Sequence, residues 1–301
     1  MTYRHIIRVM TVAAAMLVTL PITAQERCTA IRTALENYVR THDAEIGIAV
    51  ITDRHDTICI NNNIRYPMNS VMKLYQAMAV ADVMQRQGHR LDSLIDVSRE
   101  TLEEDTYSPM LTQYPRGNFR ISVADLLKYS LQQSDNNACD IMFHHIVDVT
   151  ETDRYIRGLG LNGFAISASE ADMHSDTTRT HDNWNYPLTA AMLINRLFTE
   201  RIYADEYQQF LINTLNGCTT GGNRLAKPLL PTNAVIGHKT GTGFESADGR
   251  PQGINDVGFI SLPNGRSYSI AVFVKSSRYD MAGTERLIAE VSEIVLRSMH
   301  D

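Results

Sequence analysis

The sequence is short of several things, and each shortage removes a class of function. Four cysteines in 301 residues are too few for a disulfide scaffold. Seventeen glycines and nine prolines are too few for a fibrous or low-complexity chain. Lysine and arginine form no run, and 28 of them against 34 acidic residues leave a net charge of −6, which argues against nucleic-acid binding. There is no C-x-x-C or H-E-x-x-H, and His144-His145 is the tightest histidine pair, so no metal or other cofactor is expected. Beyond the N-terminus no apolar stretch is long enough to span a bilayer, and there is no internal repeat. What remains, 44% hydrophobic and 21% charged, can build a substantial core as one large domain or two interleaved ones.

The first residues stand apart. Arg4, His5 and Arg8 make a basic start, 9–20 is apolar apart from Thr11 and Thr19, and Pro21 leads to the small residue Ala24. This is the layout of a secretory signal over 1–24. The apolar run of about a dozen residues falls short of the ~20 a spanning helix needs, and no cysteine follows to carry a lipid. Export to the periplasm or medium is therefore expected, with no membrane attachment once the signal is removed. Export permits disulfides among Cys28, Cys59, Cys139 and Cys218; the three possible pairings and free thiols all remain open.

Periodicity predicts a helix over 28–40, strands over 45–52 and 56–61, and a helix over 71–86. Helical spacing dominates the middle, over 123–133, 137–147 and 187–200 with further turns to 215, and Ser122 reads as an N-cap. Strands return over 233–240, 255–262 and 267–275, the last two joined by the turn signal Asn264-Gly265, before a final helix over 284–299. The expected organisation is an α/β protein. Residues 25–66 and 216–301 together form an antiparallel sheet flanked by helices, and 67–215 is an inserted helical domain. A cleft between two such lobes is a natural ligand site.

Four motifs fall where that cleft is expected. In Ser70-Val71-Met72-Lys73 a hydroxyl and an amine lie one helical turn apart. A serine attacks only when a base takes its proton, and a lysine half buried in an apolar helix can serve. Alone, the pair also reads as a cap and a snorkelling side chain. Ser134-Asp135-Asn136 sits between two helices, where it equally suits a turn. Lys239-Thr240-Gly241-Thr242 ends a strand, offering hydroxyls, an ammonium and a close backbone approach to a carboxylate. Glu170 lies in 167–185, which shows neither helical nor strand period; long irregular segments in compact domains are often functional.

In this order, S-x-x-K, S-D-N, an isolated Glu and K-T-G resemble the class A serine β-lactamases. The resemblance extends from about residue 28 to the C-terminus. It is strongest toward the branch of PER and CfxA types, in YSLQQSDNNACDIM (129–142), EADMH (170–174), HKTGTG (238–243) and LPNGRSYSIAVFVK (262–275). It implies the fold shared with penicillin-binding proteins and hydrolysis of β-lactams through a serine acyl-enzyme, by a monomer. Ser70 would be the nucleophile, Lys73 its proton partner, Ser134 the relay to the leaving nitrogen, and Glu170 the residue that activates the deacylating water. Backbone N–H groups of Ser70 and Thr242 would form the oxyanion hole. Asn136 would hold the substrate's side-chain amide, and Lys239, Thr240 and Thr242, with Arg224 nearby, its carboxylate; Tyr107 would stand at the rim.

Departures from the family pattern sharpen the expectation. His174 stands where asparagine is usual four residues after the Glu, and reads as water-positioning. The arginine that commonly anchors the Glu segment is absent, Ala168 or a neighbour taking its place, so the segment must be held otherwise. The segment 244–253 looks long, and both features border the substrate's acyl side chain. Cephalosporins, including bulky ones, are the expected preference. The alternatives are a D-alanyl-D-alanine peptidase or penicillin-binding protein, against which Glu170 argues, and a non-catalytic cell-wall-binding relative.

Overall fold

A computed structural model describes residues 24–300; most of the expected export signal lies outside the described residues. Helix α1 (Ala24–Arg40) leads into the hairpin β1 (Glu45–Thr52) and β2 (Thr57–Ile60). A short strand β3 (Tyr66–Pro67) and a 3-10 turn (Asn69–Val71) precede α2 (Met72–Arg86). The middle of the chain carries β4 (Leu94–Val97), α3 (Pro109–Gln113), β5 (Phe119–Ser122), α4 (Val123–Gln132), α5 (Asn136–His145) and α6 (Val149–Gly158). There follow β6 (Phe164–Ala165), α7 (Glu170–Ser175), β7 (Trp184–Asn185), α8 (Pro187–Thr199) and α9 (Asp205–Asn216). The chain ends in β8 (Val235–Thr242), β9 (Gly253–Ser261), β10 (Ser267–Lys275) and α10 (Met281–His300).

Five strands form an antiparallel sheet in the order β2-β1-β10-β9-β8, so the first hairpin pairs with the last strand of the chain. The central strands are apolar on both faces because both are covered. Ile46, Ile48 and Val50 of β1 join Ile270, Val272 and Val274 of β10 in one core with α1 and α10. The alternate residues Ala49, Ile51, Ala271 and Phe273 belong to a second core, shared with α8 and the helical half. That division is the period-2 rule acting on a sheet with helices on each side. At the centre of the helical half runs α2, buried on nearly every side.

The helical half also carries two short antiparallel pairings, β4 with β5 and β3-β7-β6, which strand-length patterns of two to four residues could not signal. Ser122 caps α4 as expected, accepting a hydrogen bond from the Asp125 N–H. Residues 167–185 are more regular than expected: they contain α7 and a 3-10 turn over Thr177–His181. A six-residue helix gives too few turns to register as a period. All four cysteines are free thiols. Among the described residues no helix is long and apolar enough to cross a membrane, and no group of three His, Cys, Asp or Glu is placed to hold a metal ion.

Candidate active site

The 3-10 turn before α2 places Ser70. Asn69 adopts a left-handed conformation (φ 47°) and its side-chain amide donates to the Gly253 carbonyl, tying the turn to β9. One turn later Lys73 is fully buried. Its ammonium donates to Ser70 Oγ at 3.0 Å, the Ser134 carbonyl at 2.8 Å and Asn136 Oδ1 at 2.6 Å. It also forms an ion pair with Glu170 Oε1 at 2.8 Å, and Ser70 Oγ donates to that same oxygen at 3.3 Å. A buried ammonium is tolerable only with such partners; removal of the carboxylate would leave an uncompensated charge in the core.

The loop between α4 and α5 supplies Ser134, held at a positive φ of 61° that only a firmly supported serine adopts. The support comes from its neighbour. The buried Asp135 carboxylate accepts from the Ala138 N–H at 2.9 Å, capping α5, and also from the Met110 N–H and the Ser108 hydroxyl. Burial nevertheless holds the Asp135 carboxyl above its ordinary value. Ser134 therefore joins two lysines: its carbonyl receives Lys73 and its hydroxyl receives the Lys239 ammonium at 3.0 Å.

The facing wall is β8, the edge strand of the sheet. Gly241 lets this strand pass close to the Ser70 turn, since a Cβ there would lie 2.6 Å from the Met68 carbonyl oxygen. Lys239 is fully buried, donating to Ser134 and to the Thr240 carbonyl; burial, and then the charge of Lys73, push it down to about 7. Thr240 shares a 2.6 Å hydrogen bond with Thr220. Arg224 reaches the edge of the cleft but is nearly buried against this wall. Its guanidinium donates to the Gly241 and Asn255 carbonyls, to Thr242 Oγ1 at 2.7 Å and to Glu285 on α10 at 3.0 Å. Its direct effect is to orient the Thr242 hydroxyl.

The Glu170 segment is anchored by hydrogen bonds to its backbone. Asp140, one turn beyond Asn136 on α5, accepts from the N–H groups of Glu170 and Ala171 at 2.9 and 2.7 Å. Burial and the neighbouring Glu170 charge push Asp140 up to about 7. Ser169 and Asp172 form a capping box on α7, and Arg179 binds Asp172, Asp182 and the Ser167 carbonyl. Asn183 receives the N–H groups of Ser167 and Ala168 and donates to the Ala168 carbonyl. Sequence reading missed these anchors; the only available signal was the four-residue spacing of Asn136 and Asp140 on one helix face.

These groups line a cleft of about 500 Å³, with Lys73 and Lys239 beneath its floor. Ser70, Ser134, Asn136, Glu170, His174, Arg224, Thr240 and Thr242 all reach it, and the exposed Tyr107 stands at its rim. His174 sits one turn beyond Glu170 on the same face of α7. The Asn136 amide is already committed to Lys73 and, through Nδ2, to Thr106. Phe244, which sequence reading marks only as the start of the long 244–253 segment, is a second exposed aromatic on the lining. The long segment after β8 folds back as a hairpin, with Gly243 bonded to Gly253 and Gln252 to Phe244. A further groove of about 760 Å³ separates this hairpin from Thr177–His181.

The same scaffold occurs in known proteins. The model of the β-lactamase enzyme family matches residues 30–299. A β-lactamase of Phocaeicola vulgatus is 42% identical over 264 residues, covering 87% of this chain and 82% of its own. The extended-spectrum β-lactamase PER-1 of Pseudomonas aeruginosa is 34% identical over 260 residues, covering 86% and 84%. The crystal structure of a class A β-lactamase from Bacteroides cellulosilyticus superposes with a TM-score of 0.86 at 33% identity, over 91% of this chain and 98% of that one. With its fold and most of its length held in common with those proteins, the chain belongs to the class A serine β-lactamases and is a β-lactam hydrolase.

Proposed function

We propose that the enzyme opens β-lactams by attack of Ser70 and releases the product with water activated by Glu170. The observation that carries this reading is the triangle of Ser70 Oγ, Lys73 Nζ and Glu170 Oε1, with sides of 3.0, 2.8 and 3.3 Å. An ammonium ion-paired to Glu170 cannot accept the serine proton until it has given one up, so the carboxylate is the first acceptor. Lys73 then steadies the charge on Ser70, passes a proton toward Ser134 and takes back the one held by Glu170 across their 2.8 Å contact, which leaves that carboxylate free to activate the deacylating water. Because Ser134 Oγ accepts from Lys239, its own proton is free to go to the leaving nitrogen. The N–H groups of Ser70 and Thr242 hold the developing oxyanion, worth about 3 kcal/mol per donor. Lys239, Thr240 and Thr242 receive the substrate carboxylate, Arg224 fixing the Thr242 hydroxyl, and Asn136 offers its remaining amide N–H to the acyl side chain. His174 orients the water near Glu170.

The substrates include extended-spectrum cephalosporins. Room for a large acyl group is supported by the groove beside the 244–253 hairpin and by an anchoring of α7 that needs no arginine before Glu170. The enzyme is exported to the periplasm or the medium, on the strength of the basic and apolar N-terminal pattern. Comparing hydrolysis of a small penicillin with that of an oxyimino-cephalosporin tests the substrate range; preference for the penicillin alone overturns it. The deacylation role is tested by Glu170→Gln, which is expected to accumulate an acyl-enzyme visible by intact mass. A variant that turns over at the normal rate refutes the role and favours a peptidase-like site.

A further inference from the structure

Asn136 opens α5, and the segment 103–108 is laced to that end of the helix on both sides of Asp105. Before Asp105, the Glu103 N–H donates to Asn137 Oδ1 at 2.8 Å, and Asn137 Nδ2 donates back to the Glu103 carbonyl at 2.8 Å. After it, Thr106 Oγ1 accepts from Asn136 Nδ2 at 2.9 Å and the Tyr107 carbonyl accepts from the Asn136 N–H at 3.1 Å. The Ser108 hydroxyl then donates to Asp135. The backbone at Asp105 is therefore held beside Asn136, although it belongs to no helix or strand. The side chain is not held. It is exposed and lines the cleft with Thr106 and Tyr107, and among the described residues it forms no ion pair and accepts no hydrogen bond.

Two carboxylates line the cleft, and their situations are opposite. Glu170 is neutralised by Lys73 at 2.8 Å. Asp105 meets no cation of the protein: Arg224 is paired with Glu285, Lys239 belongs to the facing wall, and Arg99 is taken by the adjacent Glu104. An unneutralised carboxylate in a ligand site attracts a cation that the ligand brings with it. The lacing also says where on the ligand that cation must be. Asn136 faces the acyl amide in the proposed mechanism, and the same side chain binds Thr106, next to Asp105. A positive group meets Asp105 when it stands a bond or two from that amide. An ammonium on the carbon next to the amide carbonyl satisfies the condition.

We propose that Asp105 is a specificity-determining residue that favours β-lactams whose acyl side chain carries an ammonium group on the carbon next to its amide carbonyl. This names a substrate class for the cleft and rests on the reading that Asn136 holds the acyl amide. Asp105 transfers no proton in this role. It acts by attraction across a partly solvated cleft, so the preference is modest and is screened by salt.

The test uses a 7-phenylacetamido cephalosporin and its α-amino counterpart, identical elsewhere, at pH 6.5, where an α-amino group with an ordinary value of about 8 is protonated. The readout is the ratio of kcat/KM for the amino compound to that for the plain one. Asp105→Asn is expected to lower this ratio about threefold, and Asp105→Lys, which turns attraction into repulsion, about tenfold. In the unaltered enzyme the ratio should fall toward that of Asp105→Asn as salt is raised from about 0.02 to 1 M. A ratio unmoved by Asp105→Asn, or equal in the Asn and Lys variants, overturns the inference. Asn136→Ala tests the underlying reading separately: it should lower kcat/KM for both cephalosporins, and no loss there means that the amide is held elsewhere. The ratio in the Asp105 variants decides the inference in either case.

Discussion

Two fully buried lysines face each other across the cleft, and their surroundings differ in one respect. Lys73, on the helical wall, has a carboxylate partner in Glu170 at 2.8 Å. Lys239, on the strand wall, is held by the Ser134 hydroxyl and the Thr240 carbonyl, and among the described residues no carboxylate forms an ion pair with it. A cation neutralised from within the protein is suited to moving protons. A cation offered only dipoles is suited to receiving an anion from outside. Ser134 ties the two together, accepting from one through its carbonyl and from the other through its hydroxyl, so the proposed proton relay and carboxylate receptor share one residue.

The largest effect should come from Lys73→Ala. Loss of a positioned proton carrier is expected to lower kcat about a thousandfold with a smaller change in KM. It should also destabilise the fold by about 3 kcal/mol, measurable by thermal or denaturant unfolding, because Glu170 and the carbonyl of Ser134 lose their buried partner. Lys239→Ala should instead act mainly through KM, raising it about thirtyfold for a loss of about 2 kcal/mol in a charge-assisted contact. Equal losses of kcat in both variants would break the distinction between the two lysines.

The pH profile sharpens the same contrast. In the proposed mechanism the ammonium form of Lys239 receives the carboxylate, and burial with the Lys73 charge brings that lysine down to about 7. Above pH 7, kcat/KM for carboxylate-bearing substrates should therefore fall about tenfold per unit, and Lys239→Arg should abolish that limb. Stability moves in the opposite sense. Between about 7 and the ordinary 10.5 the unfolded lysine still holds the proton that the folded one has lost, so this group makes the fold more stable as pH rises through that window. Below pH 7 the folded state carries the full cost of the buried charge.

The smallest effect is expected from Asp140→Asn. The amide keeps one acceptor for the two N–H groups of Glu170 and Ala171, so the loss is about 1 kcal/mol. It should appear as deacylation slowed severalfold, read from the fraction of acyl-enzyme at steady state. An unchanged fraction would show that Asn183 and Arg179 hold the Glu170 segment without help from Asp140.

How much of this was legible depended on the reach of each interaction along the chain. Ser70 and Lys73 lie one turn apart, and Ser134 to Asn136 occupy one connection, so each half of the catalytic cluster could be read locally. The helix α7 could not, because its six residues are set by a capping box and by Asp140 thirty residues earlier. Arg224 matched a position near the substrate carboxylate, but its hydrogen bonds to β8, β9 and α10 give it a supporting place behind Thr242. The pairing of His238 with Asp256 was equally hidden. It depends on the antiparallel register that sets Thr240 opposite Asp256 and His238 opposite Gly258, leaving His238 and Asp256 as diagonal neighbours on one face.

The order of S-x-x-K, S-D-N, Glu and K-T-G, with the periodicities around them, determined the family, the strands of the main sheet and the principal helices, since these rest on residues close in sequence or on side-chain period. Tertiary structure alone decided which lysine is neutralised, what anchors Glu170 and where Arg224 spends its charge. Those outcomes depend on burial and on contacts between segments tens to more than a hundred residues apart, and the strength of a charge in a protein is set by what surrounds it in space.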